Sequence, residues 1–143
     1  MTVQDHRFSI RVRYHEIDGQ GRVHHAQYLN YFERGRVEML RAFGRSYKAL
    51  EESGLMLVVR RMEIEYVYPA EFDDELTLVT TVLSSRGARI AHDYQIFRPR
   101  DQQLIVTAQS EIACIDRSGR VRRLPDFLQS PKRDCDLEKK GNP

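Results

Sequence analysis

The sequence is short of cysteine, of net charge and of long apolar runs, and each shortage removes a class of protein. Only Cys114 and Cys135 occur in 143 residues. One lies in an apolar strand-like stretch and the other in a polar tail, so neither a disulfide framework nor a thiolate metal cage can be assembled. Both read as plain thiols. Lysine and arginine number 23 against 21 aspartates and glutamates, a formal charge of +2. The chain-wide basic excess that phosphate-backbone binding demands is missing, and no nucleic-acid partner is expected. No apolar run approaches the ~18 residues that span a bilayer, and the start MTVQDHRFSI lacks the charged-then-apolar order of a signal peptide. The expectation is a cytoplasmic protein without stable membrane insertion. The length leaves room for one ordinary domain and not two.

What is present is strongly patterned. Phe8, Ile10, Val12 and Tyr14 alternate with Ser9, Arg11 and Arg13, the period of two that predicts a strand over 8–14. A glycine-bearing loop follows. From 27 to 43 the period changes: Tyr28, Phe32, Gly35, Met39 and Phe43 recur at spacings of three and four, with Leu29 and Leu40 beside them. Glu33, Arg34, Arg36, Glu38 and Arg41 fill the other side, which predicts one long amphipathic helix. Gly44 supplies a stop, and 46–53 reads as a short second helix capped by Ser46. Four β-rich stretches then follow, over 56–68, 75–85, 89–97 and 104–116, separated by PAEFDD, SRGA and RPRDQQ. Links that short predict antiparallel pairing between successive strands. The fold class is α+β, one helix covering a sheet of five or six strands. There is no internal repeat; residues 1–128 read as the single domain and 129–143 as a polar tail expected to be partly disordered.

Charge is segregated along the chain. Glu63, Glu65, Glu71, Asp73, Asp74 and Glu75 form an acidic stretch, whereas Arg117, Arg120, Arg122, Arg123, Lys132 and Arg133 surround only Asp126. These read as solvated turns, or, for the basic stretch, as an anchor for a small phosphorylated ligand.

Chemistry concentrates between Tyr14 and Glu38, YHEIDGQGRVHHAQYLNYFERGRVE. A helix start presents unpaired backbone N–H groups and the positive end of the macrodipole, suited to a carbonyl oxygen that gains charge during reaction. Here those donors fall near His24, His25 and Ala26, and Asp18 lies a few residues upstream. A carboxylate beside a polarised carbonyl suits acyl transfer, as nucleophile or as the base that activates water. The same aspartate is also the residue type that caps its own turn. Gly19-Gln20-Gly21 lacks the third glycine and the parallel strand of a dinucleotide loop. His15, Glu16, Asp18, His24 and His25 match no metal-ligand spacing, and no metal is expected. No G-x-S-x-G occurs, and neither cysteine has a histidine nearby in sequence. His92, alternating with Ile90 and Tyr94, reads as a packed sheet residue.

The run YHEIDGQGRVHHAQYL, followed by Phe32-Glu33-Arg34 and Arg36-Val37-Glu38, closely resembles the signature of hotdog-fold acyl-CoA thioesterases of the 4-hydroxybenzoyl-CoA thioesterase group. It is most similar to the branch associated with the Tol-Pal system. The likeness continues through Val58-Val59-Arg60-Arg61-Met62, Glu65-Tyr66, Pro69-Ala70, Asp73-Asp74, Ser85-Arg86-Gly87 and Leu124-Pro125, covering most of 8–128. It implies a hotdog fold, a long helix wrapped by an antiparallel sheet, and hydrolysis of an acyl-CoA thioester. The family's catalytic carboxylate falls on Asp18 and its oxyanion-binding backbone amide on His25. Its substrate-contacting positions fall on Gly21, Val23 and Tyr28, with Arg60 and Arg86 near the CoA phosphates. CoA belongs to the substrate and no cofactor is implied. The family assembles as homodimers whose sheets join into one, often paired again as homotetramers, with sites at the subunit boundary. The His24-His25 pair departs from the aromatic residue frequent at the first position, so the acyl preference stays open. Two other readings remain: a hotdog dehydratase or hydratase, and a non-catalytic acyl-thioester-binding or scaffold protein.

Overall fold

The computed structural model describes residues 5–130. In chain order the elements are β1 (Asp5–Arg11), a 3-10 turn (Tyr14–Glu16), α1 (Gln27–Ala42), α2 (Tyr47–Glu52), β2 (Leu55–Tyr66), β3 (Glu75–Arg86), β4 (Arg89–Arg98), β5 (Gln103–Asp116) and a second 3-10 turn (Asp126–Leu128). The sheet has five strands, ordered β1-β3-β4-β5-β2, and every neighbouring pair is antiparallel.

The helices follow their local signals. Ser46 caps α2, its side chain accepting a hydrogen bond from the Ala49 N–H at 3.0 Å. In α1 the buried positions are Tyr28, Tyr31, Phe32, Gly35, Arg36, Met39 and Leu40. Arg36 therefore belongs to the covered face rather than the polar one. It stands four residues after Phe32 and eight after Tyr28, on the stripe that faces the sheet. Phe43, expected to extend that stripe, is 44% exposed.

Two expectations about the strands are corrected. The first strand ends at Arg11 instead of running to Tyr14, and Tyr14 is 75% exposed. The Glu16 carboxylate accepts from the Arg13 N–H at 2.7 Å and draws the chain into the 3-10 turn. Secondly, β2 and β3 are consecutive in sequence and do not pair: β2 lies at one edge beside β5, and β3 sits beside β1. The link 67–74 therefore returns the chain across the sheet instead of closing a hairpin. It has better partners than a hairpin turn would offer, since Ala70 O accepts from Val23 N–H at 2.9 Å and Asp74 O accepts from Val12 N–H at 2.9 Å.

The sheet curls around α1. Helix residues meet β1 through Arg34 over the Phe8 ring, β2 through the Tyr28–Tyr66 rings, and β4 through Phe32 against Tyr94. Gly35 lies directly against Leu78 and Thr80 of β3. The principal core lies under the first half of the helix, with Tyr31, Phe32, Leu76, Leu78, Tyr94 and Ile96 fully buried. A smaller cluster of Ile90, Ile112, Cys114 and Leu124 sits toward the other end, where burial pushes the Cys114 thiol pKa up. Gln129 and Ser130 remain tied to the body, the Ser130 N–H donating to Ser85 O at 2.6 Å. The rest of the expected tail, with Cys135, Lys132 and Arg133, lies outside the described residues. Among the described residues no helix is long and apolar enough to cross a membrane.

Candidate active site

Asp18 stands in a small closed excursion between β1 and α1. Ile17 bridges Val23 in antiparallel fashion, Arg22 bridges Glu71, and the Asp18 N–H donates to Arg22 O at 2.7 Å. Gly21 turns the chain at φ +79°, a conformation that costs other L-residues about 1–2 kcal/mol. One side-chain oxygen of Asp18, Oδ1, accepts from the Gln20 N–H at 2.8 Å and, at 3.4 Å, from the Arg22 N–H. Turn-capping and chemistry are thus not exclusive for this aspartate: Oδ1 holds the loop, and no protein donor among the described residues reaches Oδ2.

The helix start is prepared without a side-chain N-cap in the usual sense. The residue before α1 is Ala26, already helical, and its N–H is taken by His24 Nδ1 at 3.0 Å. The Gln27 N–H goes to His24 O at 2.9 Å and the His24 N–H to Glu16 O at 2.9 Å. That leaves the His25 N–H without a protein acceptor among the described residues. His25 is also held from its other end, since the Tyr66 hydroxyl donates to His25 O at 2.9 Å and the His24 and His25 rings stack at 4.3 Å.

These groups share one open cleft of about 320 Å³, lined by Asp18, Gln20, Arg22, Val23, His25 and Tyr28 on one side and by residues 66–69 on the other. Val23 and Tyr28 are buried at its floor, and burial pushes the Tyr28 hydroxyl up to about 12, so it is neutral near pH 7. Gly21 shapes the loop without lining the cleft. Arg60 and Arg86 do not line it within this chain: Arg60 pairs with Glu111 at 2.9 Å across β2 and β5, and Arg86 stands at the β3–β4 turn. The basic stretch at 117–123 is exposed and partly consumed locally, Arg122 pairing with Asp116 at 2.7 Å.

Two supports were not legible in sequence. Glu16 is 5% exposed, and besides Arg13 its carboxylate receives the Tyr31 hydroxyl at 2.9 Å, tying the loop to the buried face of α1. Burial, followed by that bond to Glu16, raises the Tyr31 pKa well above the usual phenol value. Tyr66 and Tyr68, at the end of β2 and beyond it, form the far wall of the cleft. The Pro69 stop signal placed the end of the strand, but nothing local said that it would meet the helix start.

Comparison with known proteins identifies the family and the fold. Residues 12–131 match the family model of the thioesterase-like superfamily. The acyl-CoA thioester hydrolase YbgC of Escherichia coli O6:H1 is 36% identical over 110 residues, spanning 77% of this chain and 81% of that protein. The acyl-CoA thioesterase YbgC of Haemophilus influenzae is likewise 36% identical over 110 residues, spanning 76% and 79%. The crystal structure of a probable thioesterase from Bartonella henselae superimposes with a TM-score of 0.79 at 41% identity, covering 85% of this chain and 99% of that one. A 1,4-dihydroxy-2-naphthoyl-CoA thioesterase from Synechocystis shares the fold, with a TM-score of 0.80 at 24% identity, covering 85% and 90%. With a single long helix in a curled antiparallel sheet and the family match over nearly all of its domain, this chain belongs to the thioesterase-like superfamily and is a hotdog thioesterase.

Proposed function

We propose that the protein hydrolyses an acyl-CoA thioester to a carboxylic acid and free CoA at the cleft between the Asp18 loop and Tyr66. The observation that carries this reading is the pairing of two unspent groups, Asp18 Oδ2 and the His25 N–H, in one cleft at a helix N-terminus. In the general-base form, Asp18 takes a proton from water while the hydroxide adds to the thioester carbon. The new oxyanion receives the His25 N–H, and collapse breaks the C–S bond, the thiolate leaving with the proton returned from Asp18. In the nucleophilic form the carboxylate itself adds, expels the thiolate as a mixed anhydride forms, and water then cleaves the anhydride. Both use the same groups and need no metal or redox cofactor.

Tyr28 and Val23 would line the acyl side of the cleft. Arg60 and Arg86 would meet the CoA phosphates from a second subunit, since neither reaches the cleft of its own chain. The functional unit is then a homodimer or a dimer of dimers. Similarity to the two YbgC proteins supports acyl-CoA as the thioester.

The test is steady-state hydrolysis of an acyl-CoA panel by wild type and Asp18→Asn. Asparagine keeps an Oδ1 acceptor for the turn and removes only the basic, nucleophilic charge. A loss of kcat of at least about 100-fold is expected, and equal activity would sink the assignment. His25→Ala should lose less than Asp18→Asn, because the donor belongs to the backbone.

A further inference from the structure

A second polar centre lies on the other half of the helix, outside the Asp18 cleft. Arg36 is 7% exposed, and its guanidinium donates to the Tyr94 hydroxyl at 3.0 Å. That hydroxyl uses only part of its N–H donors. No carboxylate lies within ion-pair distance among the described residues; Glu33, one turn earlier on α1, is exposed and makes no ion pair with it. A buried guanidinium without a counterion carries a desolvation cost of several kcal/mol (order of magnitude) unless something anionic or wet meets it.

Beside it is a cavity of about 60 Å³. His92 lines that cavity at 4% exposure, and its Nδ1 has no hydrogen-bond partner among the described residues. Burial first, and the Arg36 charge second, push the His92 pKa down to about 3, so the ring is neutral near pH 7 and adds no second charge. Two other polar lining groups are already committed. The Ser85 hydroxyl donates to Leu128 O, and the Gln129 side chain bonds Gly87 and Leu124. Arg36 and His92 thus bring unspent polar capacity to the cavity, and Leu57, Val82 and Ile90 give it an apolar lining.

We propose that this cavity is a binding site for a small aliphatic carboxylate, its oxygens on the Arg36 guanidinium and the His92 N–H and its alkyl end against Leu57, Val82 and Ile90. One fixed positive charge selects a monoanion. The forked guanidinium suits a planar carboxylate, and the apolar wall disfavours a fully hydrated inorganic ion. The space, on the order of two water molecules, limits the ligand to the size of formate or acetate.

The experiment is a titration of the isotopically labelled full-length chain with acetate and, separately, with ethanol, a neutral molecule of similar size, at constant ionic strength and pH 7. Saturable shifts of the Arg36 Nε–H, the His92 ring and the Leu57 and Ile90 methyls are expected, about tenfold tighter or better for acetate, with the Asp18 loop amides unmoved. Arg36→Gln should abolish the preference for acetate; if that variant does not fold, the comparison of the two ligands on the wild type decides alone. Absence of saturation in the tens of millimolar, an equal response to ethanol, or shifts confined to the Asp18 cleft would overturn the proposal.

Discussion

Gly35, Arg36 and His92 show how single residues on one helix face and one strand carry consequences the sequence pattern did not announce. A Cβ built on Gly35 would meet Leu78 Cδ2 at 2.5 Å and Thr80 Oγ1 at 2.8 Å, and both residues are fully buried. Alanine gains about 0.5–1 kcal/mol of helix propensity over glycine, but forcing a methyl group into a packed core typically costs about 1–3 kcal/mol. Gly35→Ala should therefore lower the denaturant midpoint, whereas a higher midpoint would show that α1 can move away from β3. His92 gives a pH prediction whose sign is unambiguous. Its folded pKa of about 3 lies below the unfolded value of 6.5, so in that window the unfolded chain binds the extra proton. Its contribution to stability is intact above pH 6.5 and declines as pH falls toward 3, by about 1.4 kcal/mol per unit. Denaturant melts at pH 7, 6 and 5 should show a shallower decline for His92→Gln than for wild type.

At the scale of elements, the segment between β2 and β3 acts as the back wall of the Asp18 loop. Ala70 and Glu71 receive Val23 and Arg22, and the segment is held by Asp74, which is 7% exposed and accepts from Arg98 at 3.0 Å and from the Glu71 N–H at 2.9 Å. Arg98 also pairs with Asp101 at 2.8 Å, and that hydrogen bond is the main reason the Asp101 carboxyl pKa is lowered and the Arg98 pKa raised. Removing the Asp74 charge leaves the buried Arg98 with Asp101 alone and weakens one charge-assisted hydrogen bond, a loss of about 1–3 kcal/mol. Asp74→Asn should therefore lower the melting temperature and also reduce kcat at temperatures where the variant is still folded, because the Asp18 loop loses its backing. A stability loss with kcat unchanged would show the loop to be self-supporting. The acidic stretch read from sequence as one solvated turn is thus two things: Glu71 and Asp73 are exposed, and Asp74 is a buried anchor.

At the scale of the whole molecule, β2 is a twelve-residue edge strand whose outer side has no strand partner among the described residues, and it carries Arg60. Long open edges invite pairing with another strand. The exposed aromatics Tyr14, Tyr66, Tyr68 and Phe72 cluster around the same loops, Tyr14 and Phe72 meeting edge to face at 5.5 Å. Sheet joining through β2 would bring a partner's Arg60 toward the cleft and cover this edge. Hydrogen exchange should then find the outward amides of β2 protected nearly as well as those of central β4, in a species that sediments as a dimer or tetramer at micromolar concentration. A monomer with rapidly exchanging β2 amides that still turns over acyl-CoA would remove the second subunit from the site.

The sequence by itself determined what depends on short range: element type from the period of its apolar residues, the Ser46 cap, the Gly21 turn, and an aspartate loop delivered into a helix start. These survive because the relevant interactions lie within a few residues of each other. Tertiary structure alone decided which strands pair, that the β2–β3 link crosses the sheet, and that Tyr66 closes the cleft opposite Asp18. It also decided which polar residues lose their water. Arg36 and Glu16 look like surface charges in sequence, yet one faces a cavity and the other locks the Asp18 loop to Tyr31. Desolvation depends on everything packed around a group, and that neighbourhood comes from parts of the chain far away in sequence.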